Sequence, residues 1–180
     1  MRTKQTVIVI GATGKSGSVI SKNLSRGNYR LLLSDKDAGK LNELKDKIVL
    51  ENSLADVETI DCSFDGCWEA DIIISAVPFG EEKEVAAKIR VVANQKIVIS
   101  FSNSPHDECE ELRKQLSNSK VIKVFSPALA EGISTTEIDG KNADAFITGN
   151  DADALQVVAE LLTTAGFSPV IEDDLTIRKN

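Results

Sequence analysis

The sequence is poor in the side chains on which most catalysis depends. Its 180 residues hold one histidine, one tyrosine, one tryptophan and three cysteines, and aromatic residues make up 4% of the chain. The single tyrosine, Tyr29, is followed four positions later by Leu33, which excludes the Tyr-x-x-x-Lys pair of short-chain dehydrogenase chemistry. A Ser-His-Asp triad would need His106, and no G-x-S-x-G elbow exists to supply its serine. Cys62, Cys67 and Cys109 are an odd set without a C-x-x-C pair, which argues for a reducing cytoplasm over a disulfide framework. With so few histidines and cysteines, no set of zinc ligands at the right spacing can be assembled, so no metal is expected.

Positive charge is also scarce. Against 28 Asp and Glu stand 21 Lys and Arg, a net charge of −7, so the basic face that nucleic acid requires is missing. A nucleotide held by backbone amides escapes that exclusion. No apolar run approaches membrane-spanning length. Met1-Arg2-Thr3-Lys4 is basic, but the apolar run behind it stops at glycines without a cleavage-site pattern, which is unlike a signal peptide. Internal repeats and low-complexity linkers are absent.

What remains is an ordinary globular composition, 42% hydrophobic and 27% charged. The length suits one domain over residues 1–180, with little room for a second. The stretch that organises the chain is Thr6-Val7-Ile8-Val9-Ile10-Gly11-Ala12-Thr13-Gly14-Lys15-Ser16-Gly17. A β-branched apolar run suits a strand buried on both faces, and a helical pattern follows the glycines. Glycine permits the backbone angles of a tight strand-to-helix turn and lets a pyrophosphate reach the main chain. The next helix would aim its unpaired N–H groups and positive dipole end at the phosphates. The match is G-x-x-G-x-x-G on Gly11, Gly14 and Gly17; Lys15-Ser16 after Gly14 lacks the spacing of a Walker A loop.

Further elements follow in alternation. A helix carries Val19, Ile20 and Leu24 and stops at Gly27; a second strand runs from Tyr29 to Leu33 and ends in Ser34-Asp35-Lys36-Asp37. Asp35 is placed to take both ribose hydroxyls of an adenosine and to repel a 2′-phosphate, whereas Lys36 beside it would welcome one, so NAD and NADP both stand. Leu41, Leu44 and Ile48 mark a helix over 37–48, residues 57–62 a third strand, and 64–70 a helical turn in which Trp68 is expected to pack. Asp71 to Pro78 reads as a strand whose carboxyl end opens a ligand edge, followed by a helix through Val85, Ile89 and Val92. Ile97–Phe101 is a fifth strand. Ser104 and Pro105 read as the cap of a helix through Leu112 and Leu116, with His106 in its first turn on the surface. Residues 121–125 form a sixth strand, 131–142 a polar irregular loop, and 145–148 a seventh strand. A helix capped by Asn150 or Asp151 stops at Gly166, and 168–171 closes the sheet. The pattern demands an α/β fold with a doubly wound, mainly parallel sheet covered on both faces.

With the glycine loop, Ala70-Asp71-Ile72-Ile73-Ile74-Ser75-Ala76-Val77-Pro78 and Phe146-Ile147-Thr148-Gly149-Asn150-Asp151, the chain resembles the coenzyme F420-dependent NADP oxidoreductases and related single-domain Rossmann reductases. The likeness extends through Gly166-Phe167-Ser168-Pro169-Val170; the A-D-(apolar)-A-V-P strand is shared more widely, with prephenate and 6-phosphogluconate dehydrogenases. The resemblance implies that Thr13, Gly14, Lys15 and Ser16 hold the phosphates and that Ala76, Val77 and Pro78 line the nicotinamide side. It places Phe79, Ser126 and Pro127 toward a second redox partner. The family's NADP-binding members carry Ser-Arg or Thr-Arg where this chain has Asp35-Lys36, and an asparagine where it has Ser126.

Hydride transfer between a nicotinamide and a flavin or deazaflavin such as F420 needs positioning more than acid–base help, which suits a chain whose catalytic residues cannot be named. The reading is therefore an oxidoreductase of that kind, cytoplasmic and homodimeric. A non-catalytic dinucleotide-binding redox sensor or regulator is one alternative. Another is a dehydrogenase of a small carbonyl substrate completed by a partner subunit, since alone it lacks an evident general base.

Overall fold

The strand Gln5–Ile10 (β1) occupies the middle of the sheet because its last four residues are apolar on both sides and fully enclosed. The structure, a computed structural model, describes residues 3–102, 109–133, 137–138 and 140–172. Next to β1 on one side lie Tyr29–Ser34 (β2) and Asp56–Thr59 (β3). On the other side come Ile72–Ser75 (β4), Ile97–Ser102 (β5), Lys120–Phe125 (β6), Asp144–Thr148 (β9) and Ser168–Ile171 (β10). Between β6 and β9 in sequence stand the two-residue strands Glu137–Ile138 (β7) and Lys141–Asn142 (β8). The large sheet runs β10-β9-β6-β5-β4-β1-β2-β3 and is parallel except where β9 pairs antiparallel with β6, carrying β10 with it.

Parallel neighbours need crossovers, and helices supply them. The helices are Lys15–Leu24 (α1), Ala38–Glu51 (α2), Ser63–Glu69 (α3), Phe79–Ile89 (α4), Glu110–Gln115 (α5), Pro127–Ala130 (α6) and Ala152–Thr164 (α7), of which α6 instead leads toward the antiparallel β9. Alternation along each strand builds two cores. Val7, Val9 and Ile74 meet α1, α2 and α7 on one face; Ile8, Ile73 and Val98 meet α3, α4 and α5 on the other. Asp37 and Asp151 cap α2 and α7 by accepting from the amides of Lys40 and Ala154.

Several expectations need correction. The span 131–142 is not all loop: β7 and β8 pair antiparallel, with Gly140 at a φ of 75° between them. Two-residue strands carry no alternation to read. The third strand stops at Thr59, β4 at Ser75, and α4 at Ile89 rather than Val92. The expected Ser104-Pro105 cap and His106 fall outside the described residues.

Trp68 does not pack; it is 69% exposed. Cys67 takes the inward position on α3, and one further residue turns a side chain by about 100° away from it. Burial pushes the Cys67 thiol up to about 12, so it stays protonated and inert. As the sole tryptophan, Trp68 should emit like an indole in water, with acrylamide quenching nearly as efficient in the native protein as in urea. Trp68→Ser should then change stability by less than about 0.5 kcal/mol. A blue-shifted, protected emission would contradict this placement. Among the described residues no helix is long and apolar enough to cross a membrane, and no three His, Cys, Asp or Glu side chains are grouped to hold a metal.

Candidate dinucleotide site

The strand order reverses between β1 and β4, and in open α/β sheets ligands settle outside the carboxyl ends of the strands at such a point. There the chain leaves β1 through Gly11, whose φ of 78° is one that side chains resist. The Gly11 and Ala12 amides both donate to the Ser34 carbonyl, at 2.9 and 3.2 Å, fastening the turn to the end of β2. A Cβ on Gly11 would lie 2.8 Å from the Ala76 carbonyl oxygen, so the turn also abuts the end of β4. Gly17 is excluded from growing for a related reason, because its Cβ would run into the Gly11 carbonyl. The turn thus packs directly beneath the first turn of α1. That helix starts with no side-chain cap and no acidic residue of its own in its first turn, leaving its first amides without a side-chain acceptor from the helix itself.

Asp35, one residue past β2, faces this turn. Its Oδ2 accepts from the Thr13 amide at 2.9 Å and its Oδ1 from the Lys36 amide at 2.7 Å. Partial burial pushes the Asp35 carboxyl up, but donors from the Thr13 amide and hydroxyl and the Lys36 and Asp37 amides outweigh it, holding the group below the usual range. Beside it, the Lys36 ammonium donates to Glu81 Oε2 at 2.8 Å, and that ion pair raises the lysine above its ordinary value.

Between these walls opens a cleft of about 430 Å³. Of the residues singled out from sequence, Gly11, Thr13, Gly14, Asp35, Lys36, Ala76, Val77 and Pro78 line it. The others are placed elsewhere. The Ser16 hydroxyl donates to the Leu129 carbonyl at 3.1 Å, and the Lys15 stem lies against Gly132, so both serve the contact of α1 with the segment around α6. Gly17 is buried under the turn, and Ser126 and Pro127 form the start of α6, with the Ser126 hydroxyl buried and unpartnered among the described residues. Phe79 is 67% exposed and lines a separate hollow with Cys109 and Leu112.

The cleft also collects residues that sequence reading missed: Asp61 and Ser63 after β3, and Glu81, Glu84, Val85 and Lys88 on α4. The signal was present but weak. Glu81, Val85 and Lys88 recur at helical spacing behind a strand that ends at the ligand edge.

The fold and cleft define a dinucleotide-binding α/β domain. The chain belongs to the family of the NAD binding domain of 6-phosphogluconate dehydrogenase, whose model matches residues 6–171. Solved structures agree on the fold. A hypothetical protein from Sinorhizobium meliloti superposes with a TM-score of 0.74 at 21% identity, over 97% of this chain and 87% of that one. A protein assigned as an F420-dependent NADP reductase, from Arthrobacter sp., gives 0.74 at 18%, over 97% and 87%. A pyrroline-5-carboxylate reductase from Coxiella burnetii gives 0.74 at 16%, over 98% of this chain and 62% of that one, so this chain spans under two thirds of that reductase. Comparison with curated proteins yields no match.

Proposed function

We propose that this protein is an oxidoreductase that binds NAD(H) or NADP(H) in the cleft above β1, β2 and β4 and exchanges hydride with a flavin or deazaflavin. The observation that carries the reading is the glycine turn itself. At Gly11 a side chain would meet backbone, and α1 presents an N-terminus without a side-chain cap behind it, the shape and dipole a pyrophosphate needs. The nicotinamide supplies the hydride; the protein's share is to bind, orient and exclude water. Gly11 and Gly14 would let the phosphates approach, Asp35 would accept from the ribose, and Ala76, Val77 and Pro78 would form an apolar wall for the nicotinamide. A deazaflavin partner is favoured by the F420-dependent structural neighbour, which this chain covers to 87%. We take residues 1–180 to act as one domain, paired in a homodimer.

A second reading is favoured by the pyrroline-5-carboxylate reductase likeness: reduction of a small C=N or C=O substrate, completed by another subunit. Both are tested by titrating NADH and NADPH and then adding FMN, F420 or an imine. Saturable binding followed by F420- or flavin-dependent nicotinamide oxidation supports the first reading. Oxidation with imine alone supports the second. Failure to bind either nucleotide overturns both.

A further inference from the structure

Two neighbouring residues send opposite messages about the nucleotide. Asp35 repels a 2′-phosphate, and Lys36 would attract one. In the structure Lys36 is not free to do so. Its side chain leaves the end of β2, crosses the mouth of the cleft and meets Glu81 Oε2 at 2.8 Å in the first turn of α4, on the opposite wall. Glu84 on the same wall adds a second negative field at the ammonium.

We propose that Glu81 sets the nucleotide preference: by holding Lys36 in an ion pair across the cleft it denies a 2′-phosphate its cation and selects NAD(H) over NADP(H). The inference rests on the dinucleotide reading given above. The pair is exposed, with 79% of the Lys36 side chain and 40% of the Glu81 side chain accessible, so its contribution to folding stability is small. Its contribution to selectivity is not limited in that way. A 2′-phosphate entering here must displace one carboxylate from Lys36 and then sit among Asp35, Glu81 and Glu84, as a dianion among like charges. A bare 2′-hydroxyl pays none of this repulsion. Lys88, the other cation of the lining, lies seven residues beyond Glu81, two turns further along α4.

The test is the ratio of NADPH to NADH dissociation constants for the full chain, its Glu81→Gln variant, and the Glu81→Gln/Lys36→Ala double variant. The wild type should prefer NADH. Glu81→Gln should shift the ratio toward NADPH by about tenfold, one charge-assisted contact regained. In the double variant the ratio should return to the wild-type side. An unchanged ratio in Glu81→Gln overturns the proposal while leaving dinucleotide binding intact, as does a wild type that prefers NADPH. A shift that survives loss of Lys36 also overturns it, since general charge or Lys88 would then be responsible. Absence of binding to either nucleotide in every form overturns the dinucleotide reading and this inference with it.

Discussion

Gly17→Val is expected to lower the melting temperature by roughly 5–10 °C and to weaken NADH binding about a hundredfold. The side chain has nowhere to go. Its Cβ would strike the Gly11 carbonyl, a backbone atom fixed by the bonds of the Gly11 and Ala12 amides to Ser34, so either α1 or the turn must move. Moving α1 carries its N-terminal amides away from where the phosphates would lie. Gly11→Ala adds a left-handed φ to its own contact with Ala76, worth about a further 1–2 kcal/mol. Thermal melts and fluorescence titration check both variants. A Gly17→Val protein with unaltered melting and binding would mean that the packing of α1 on the turn is not as described.

Asp35→Asn is expected to have two separable effects. On binding, loss of a charged acceptor at the ribose position should reduce NADH affinity roughly tenfold to a hundredfold. On folding, the effect depends on pH. The Asp35 carboxyl titrates below its ordinary value of 3.8 in the folded protein, so the unfolded chain binds its proton first as acid is added. Its contribution to stability is therefore fully present above about pH 4 and is lost as pH falls through the folded value. Unfolding curves at a series of pH values should show Asp35→Asn less stable than wild type near neutrality, with the difference narrowing in acid. A gap that stays constant with pH would show that the amide contacts to Thr13 and Lys36 do not depend on the charge.

The binding effects of these substitutions and of Glu81→Gln rest on how the turn and the end of β2 meet, and here sequence and tertiary structure divide the work. The order of strands and helices was legible because most apolar runs end at a glycine, a proline or a capping residue, as at Gly11, Gly27, Pro78 and Asp151. The turn was legible because its glycines stand at a spacing that few other needs impose. The short β7–β8 pair was not, and neither was the outward turn of Trp68. A two-residue strand has no period, and on a seven-residue helix the choice of inward side chain between Cys67 and its neighbour is made by what lies beneath.

By itself the sequence determined the alternating pattern, hence a parallel sheet with helices on both faces, since local periodicity fixes which face each element must bury. It also determined that a glycine turn, an acid and a lysine lie at strand ends. The tertiary structure alone decided that Ser16 bonds to Leu129, 113 positions away, while Asp35 grips Thr13. It alone brought Glu81 across the cleft to Lys36, 45 positions distant. Such contacts are set by the twist and stacking order of the sheet, and no local pattern of residues encodes how far apart two strand ends will stand.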